Sequence, residues 1–251
     1  MLYRQTRRVF GLIFALSVLT AVANAAACSN TSLKGLYGIW ITGYDSSGAY
    51  QQSVAQIDSN GKGTFTGTET ESDDGTIYND VAITGTYSIA ANCTGSGTIV
   101  NPKNGNESHY NFLVDLVAKQ IDAVGTDSGH GTASGQVVSL GKATCTTASV
   151  KGTYGFHGGG LDTGSQWQFA GQYVLDGAGN VTGTETSVVT GVVASAVPLT
   201  GTYVVGPSCT ATITVSGSAP YNLNVVFIQA AKAFFAIETD SGYVGTLVAH
   251  Q

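Results

Sequence analysis

From Lys34 onward the chain alternates apolar and polar residues with a period of two, the spacing of half-buried strands. Tyr37, Ile39 and Ile41 fall on one face, and Phe112, Val114 and Leu116 on another. The runs are short, rich in Val, Ile, Thr, Tyr and Phe, and broken by glycine-containing turns. Such punctuation suits hairpins better than helices. The pattern predicts strands over 33–43, 50–58, 62–71, 79–90, 94–101, 108–117, 119–126 and 132–140. Asn60-Gly61 between two runs marks a tight hairpin, because both residues accept positive φ at low cost. The apolar run from Ala230 to Ile237 is read as a strand.

The same plan occurs twice. CSNTSLKGLYGIW from Cys28 pairs with CTTASVKGTYGFH from Cys145, and NGKGTFTGTET from Asn60 with DGAGNVTGTET from Asp176. ITGTYSIAANC ending at Cys93 pairs with LTGTYVVGPSC ending at Cys209. Tyr110-Asn111 aligns with Tyr221-Asn222, and Thr126 to Gly129 with Thr239 to Gly242. The repeat is too long for a solenoid unit, so each copy is expected to enclose its own core. Closing an eight-strand meander removes its exposed edges. The expected fold is all-β: two tandem antiparallel up-and-down β-barrels of about eight strands each. The repeats would span 26–142 and 143–251. Two halves sharing one barrel is the alternative.

Four cysteines allow three pairings. The duplication selects Cys28–Cys93 and Cys145–Cys209, one bridge per repeat. Bridges need an oxidising compartment, and the N-terminus supplies a route. Met1 to Arg8 is basic, Val9 to Ala23 is nearly all apolar, and Ala23-Asn24-Ala25 is a small-x-small cleavage site. Residues 1–25 read as a secretory signal peptide and the protein as secreted or periplasmic. Twin-arginine export and a lipid anchor at Cys28 are the lesser readings. No later stretch is apolar for long enough to span a membrane as a helix.

Charge narrows the partners. All three arginines lie in that leader, so without it seven lysines face sixteen acids and the net charge moves from −6 to −9. An acidic chain without arginine is a poor ligand for nucleic acid.

Candidate chemistry is sparse. No phosphate loop, dinucleotide fingerprint or nucleophile elbow is present, and no cofactor or metal is expected. His109, His130 and His157 align with Pro220, Tyr243 and Trp40, so no histidine site is built into both copies. The repeated polar candidates are Glu69 and Glu185, each inside Thr-Gly-Thr-Glu-Thr and in phase with Phe65 or Val181. If that face is the barrel interior, each carboxyl meets an apolar pocket with a raised pKa. Tyr37 and Tyr154 are candidate ligand contacts, or core anchors whose hydroxyls find a backbone partner. Trp40 and Trp167 are candidates for an exposed adhesive surface.

The Leu/Val-Lys-Gly-x-Tyr-Gly opening and the Gly-Thr-Tyr…Cys block resemble uncharacterised secreted bacterial domains with small barrels of the allene oxide cyclase or calycin type. That resemblance implies an internal pocket for an apolar ligand. No cyclase catalytic residue maps onto this chain. The function expected is therefore an exported, non-enzymatic barrel protein that binds a small apolar ligand or serves as an envelope or extracellular module. The alternative is an isomerase, cyclase or other enzyme using barrel-interior carboxylates.

Overall fold

The computed structural model describes residues 27–102, 105–128, 131–141, 144–206, 208–216 and 220–251. The leader expected over 1–25, and His130, lie outside the described residues. The first repeat contains β1 (Lys34–Tyr44), β2 (Tyr50–Asn60), β3 (Thr64–Asp73), β4 (Thr76–Ile89), β5 (Thr94–Asn101), β6 (Asn106–Asp115), β7 (Gln120–Gly125) and β8 (Thr132–Ser139). The second contains β9 (Gly152–Asp162), β10 (Ser165–Leu175), β11 (Asn180–Val189), β12 (Val192–Val205), β13 (Thr210–Ser216), β14 (Tyr221–Ile228), β15 (Ala233–Glu238) and β16 (Tyr243–His250). Each set is antiparallel and closes on itself, β8 pairing with β1 and β16 with β9. Two closed eight-strand barrels result, and every strand expected in the first repeat is present with its ends within three residues.

The hairpin read at Asn60-Gly61 is an Asx turn. Asn60 Oδ1 accepts from the amides of Lys62 and Thr64, while Gly61 and Gly63 take φ of 73° and 106°. Its twin has Asp176 Oδ1 accepting from Ala178 and Asn180. A side-chain acceptor facing two amides at a φ-positive turn is the chemistry that Asn, Asp and Gly supply.

One end of each barrel is capped. Short 3₁₀ turns, Asn30–Leu33 and Thr147–Val150, place Leu33 and Val150 inside. Tyrosines hold the caps: Tyr37 donates to Ser32 O, Tyr87 to Asn30 O and Leu33 O, Tyr154 to Val150 O, and Tyr203 to Thr147 O. The bridges Cys28–Cys93 and Cys145–Cys209 tie the same end, with Cα–Cα separations of 4.9 and 4.7 Å. One cross-link per repeat is thus present, as the duplication required.

The two barrels pack side by side. Gly38 on β1 faces Val226, Ile228 and Phe235. Trp40 lies 6.4 Å from Phe235 between ring centroids, and its indole N–H donates to Thr246 Oγ1 at 2.9 Å. Trp40 is therefore not an exposed adhesive residue, because the second barrel covers it. Val54, Val138 and Leu140 of the first barrel belong to the same apolar cluster as the second barrel's core. Burial on both faces explains why all six residues of β15 are buried. That strand begins at Ala233, not Ala230. Residues Gln229–Ala231 form a 3₁₀ turn, and the Ala230 amide donates to Leu140 O of the first barrel.

Contacts run from Leu140 with Ala230 at the capped end to Gly75 with Gly242 at the opposite end. The open ends consequently face the same way. The described cations gather at one end of this axis. The five described lysines (Lys34, Lys62, Lys119, Lys151 and Lys232) all sit at or next to the capped end, whereas Glu71, Asp73, Asp127, Asp162, Glu238 and Asp240 ring the open one.

Candidate functional site in the first barrel

Glu69 and Glu71 follow Phe65 and Gly67 along β3 at a period of two, which turns all four inward. A register shift interrupts β3–β4 pairing between them, and Asp80 opposite takes φ of 51°. The second barrel repeats the irregularity between Glu185 and Ser187, with Ala196 at φ 53°. Bulges at barrel rims bend a strand and re-aim its side chains, and here both fall beside the duplicated glutamate.

In the first barrel these carboxyls border a cavity of about 140 Å³, with Ile41, Ser53, Ser108 and Tyr110 among its walls. Below lies an apolar void of about 60 Å³ between Ile39, Ile57, Phe65 and Phe112. Ile41, Ile99 and Tyr110 line both. The upper cavity matches the size, about 150 Å³, at which a dry engineered cavity admits benzene. Burial raises the Glu69 pKa, with a hydrogen bond from Ser53 opposing. Glu71 is pushed up to about 7, by burial first and then by the charges of Glu69 and Asp73. Burial and the Glu69 charge also push the Tyr110 hydroxyl up.

The second barrel fills the same space. Glu185 is buried and accepts from Tyr221 Oη at 3.2 Å, and Tyr221 Oη lies 2.7 Å from Tyr173 Oη. Phe156 stacks on Tyr173 at 4.2 Å, and Trp167 lies 4.4 Å from Phe169. Strand pairing gives the equivalences. Matching the Asx turns sets Ser53 opposite Phe169, Ile57 opposite Tyr173 and Gln51 opposite Trp167.

For β6 and β14 the sequence match of Tyr110 with Tyr221 is two residues out of register. Val114 and Phe227 donate to the equivalent Cys93 and Cys209 carbonyls, and Asp127 and Asp240 accept from the amides of His109 and Asn222. Ser108 therefore matches Tyr221, Tyr110 matches Leu223, and His109 matches Asn222 instead of Pro220. The backbone hydrogen bonds set this register, and a repeated Tyr-Asn pair was a coincidental match. Small side chains in the first barrel thus stand where aromatics plug the second.

Glu69 and Glu185 both face the interior, Glu69 in an open chamber and Glu185 under Tyr221. Tyr37 and Tyr154 lie at the capped end, away from that chamber, and burial pushes the Tyr154 hydroxyl up to about 12. Glu71, Ser53, Ser108 and Tyr110 are the site residues that sequence reasoning missed. Period-two phase from Glu69 would have found Glu71. His109 pairs with Asp127 at 2.6 Å, the counterpart of the Asn222–Asp240 bonds, which marks it as a strand-end tie. Among the described residues no three His, Cys, Asp or Glu side chains converge as a metal centre would need, and no helix is long and apolar enough to cross a membrane.

No protein-family profile matches the chain, and no curated protein matches it. Among solved structures, it is similar to the isotype 1 transferrin binding protein B of serogroup B Neisseria meningitidis, at 9% identity and a TM-score of 0.33, covering 87% of this chain and 76% of that one. Kievitone hydratase from Nectria haematococca is matched at 7% identity and a TM-score of 0.30 over 94% of each chain. A putative AttH from Nitrosomonas europaea is matched at 11% identity and a TM-score of 0.26, over 86% of this chain and 92% of that one. At such scores the fold rests on this chain's own strand pairing.

Proposed function

We propose that this is an exported, non-enzymatic binding protein whose repeats, 26–142 and 143–251, have divided the work. The first barrel is a chamber for one small molecule, and the second is a filled scaffold that braces it. One observation carries the reading: Ser53 and Ser108 occupy the positions where Phe169 and Tyr221 close the second barrel. The ligand would be ring-sized, with its body in the upper cavity against Ile41 and Ile99 and only a small apolar tip reaching down between Ile39, Ile57 and Phe112. A polar end would meet Glu69, Glu71 and Tyr110. The paired bridges and the leader-like N-terminus support an oxidising, extracytoplasmic setting. The calycin-type resemblance agrees with a pocket inside a closed barrel.

The test transplants the plug. Native mass spectrometry of protein from its own host should show a bound small molecule, and the same ligand should raise the melting temperature of the wild type. Ser53→Phe with Ser108→Tyr should abolish both effects and leave the circular dichroism spectrum unchanged. Unaltered binding in that double variant would refute the chamber.

A second reading has its own support. Glu71, raised to about 7 beside Glu69, is poised for proton transfer near neutral pH, as an isomerase or cyclase would require. Turnover of the identified ligand, lost in Glu71→Gln while binding persists, would favour that reading.

A further inference from the structure

The rim of the second barrel carries an acid that the chamber reading does not use. Glu238 closes β15 with 3% of its surface exposed, and no described residue donates a hydrogen bond to its carboxyl. The negative charges nearest it are Asp240, Asp162 and Glu185. No described cation offsets them, since every described lysine sits at or beside the other end of its barrel. A buried carboxyl is ordinarily paired or hydrogen-bonded.

Two aromatic rings stand beside it. A methyl group built on Gly245 would lie 3.0 Å from both Glu238 Oε2 and Trp167 Cζ3, so the carboxylate and the indole edge converge on that glycine. Tyr243 sits 6.4 Å from Trp167, ring to ring. Both rings are half-buried and so reach solvent.

We propose that this rim is a second binding site, specific for a small organic ammonium group, in which Glu238 supplies the counter-charge and the half-buried rings of Trp167 and Tyr243 supply the wall beside it. A carboxylate beside aromatic rings is the chemistry that holds alkylammonium ions. The acids do not converge closely enough to ligate a metal ion among the described residues, which selects the organic cation over a divalent one. The site lies in the second barrel and stands independently of the chamber in the first.

The chain has two tryptophans, and Trp40 is in the barrel interface, so Trp40→Phe makes Trp167 the sole reporter. Titrating this full-length variant with tetramethylammonium chloride, against sodium chloride at equal ionic strength, should give a saturable change in emission with the organic cation only. Adding Glu238→Gln should weaken that response about tenfold or more, as loss of a desolvated charge contact does. A second readout needs no substitution. Glu238 holds its proton near neutral pH with Asp162, Asp240, Glu185, Tyr173, Tyr221 and Tyr243 facing it, so cation binding to the wild type at pH 7 in weak buffer should release a proton. Equal responses to the two salts, an unchanged response in Glu238→Gln, or the absence of proton release would each overturn the site.

Discussion

Replacing Glu238 by Gln should leave stability near pH 5 almost unchanged and raise it at pH 9. Burial, then the charges of Asp240, Asp162 and Glu185, lifts the Glu238 carboxyl from 4.5 to about 8. The unfolded chain gives up that proton near the ordinary value, whereas the folded protein keeps it until about pH 8. Between these limits the native state binds more protons than the unfolded one. Stability therefore falls as pH rises from about 4.5, and the loss is complete above about 8. At about 1.4 kcal/mol for each pH unit between the two values, the loss from this one side chain is on the order of 4–5 kcal/mol, an upper value because a buried site relaxes and admits water once charged. Gln has the same shape and no proton to lose, so it removes this part of the slope. Glu71, raised in the same direction, leaves a smaller decline in the variant. Urea unfolding with bridges intact, at several pH values and read by tryptophan emission and circular dichroism, measures the difference. A wild type equally stable at pH 5 and pH 9, or a variant with the wild-type slope, would refute the assignment of a buried, uncompensated carboxyl.

Further outcomes concern the frame. Gly38→Val places a methyl-bearing carbon about where Ile228 Cγ2 (2.7 Å) and Val226 Cγ1 (3.0 Å) already stand. Overpacking of this kind costs about 1–3 kcal/mol, so thermal unfolding should move down, and Trp40 emission should shift red as the barrels part. Cys145→Ser with Cys209→Ser opens a loop spanning 64 positions. The loss of stability should be on the order of 3–4 kcal/mol in the chain-entropy account, read as a lower guanidinium midpoint. An unchanged midpoint would show that the second barrel does not depend on its bridge.

Local order was legible without coordinates. Period-two alternation located the strands because neighbouring side chains on a strand point to opposite faces. Asn60-Gly61 and Asp176-Gly177 located matching turns because few residues accept positive φ. Duplication chose the cysteine pairing because each repeat must satisfy the same geometry. The shared phase of Glu69 with Phe65 and of Glu185 with Val181 was legible too, while the side of the sheet it faces was not.

What faces each glutamate was not legible. Ser53, Ser108 and Tyr110 reach Glu69 only through strand pairing, and Ser108 could be matched with Tyr221 only once the backbone bonds to Cys93 and Cys209 set the register. Glu238 gave no signal of its own, since nothing in Ala-Ile-Glu-Thr-Asp announces which neighbours will crowd it. Trp40 looked like a surface residue because alternation marks the outer face of a barrel without saying what lies against that face. Sequence alone thus determined strands, turns, bridges and the number of repeats, which depend on residues near in the chain or repeated in it. Tertiary structure alone decided that one barrel keeps a cavity beside its glutamates where its twin is plugged by aromatic rings, because volume inside a closed sheet is set by side chains brought together from all eight strands at once.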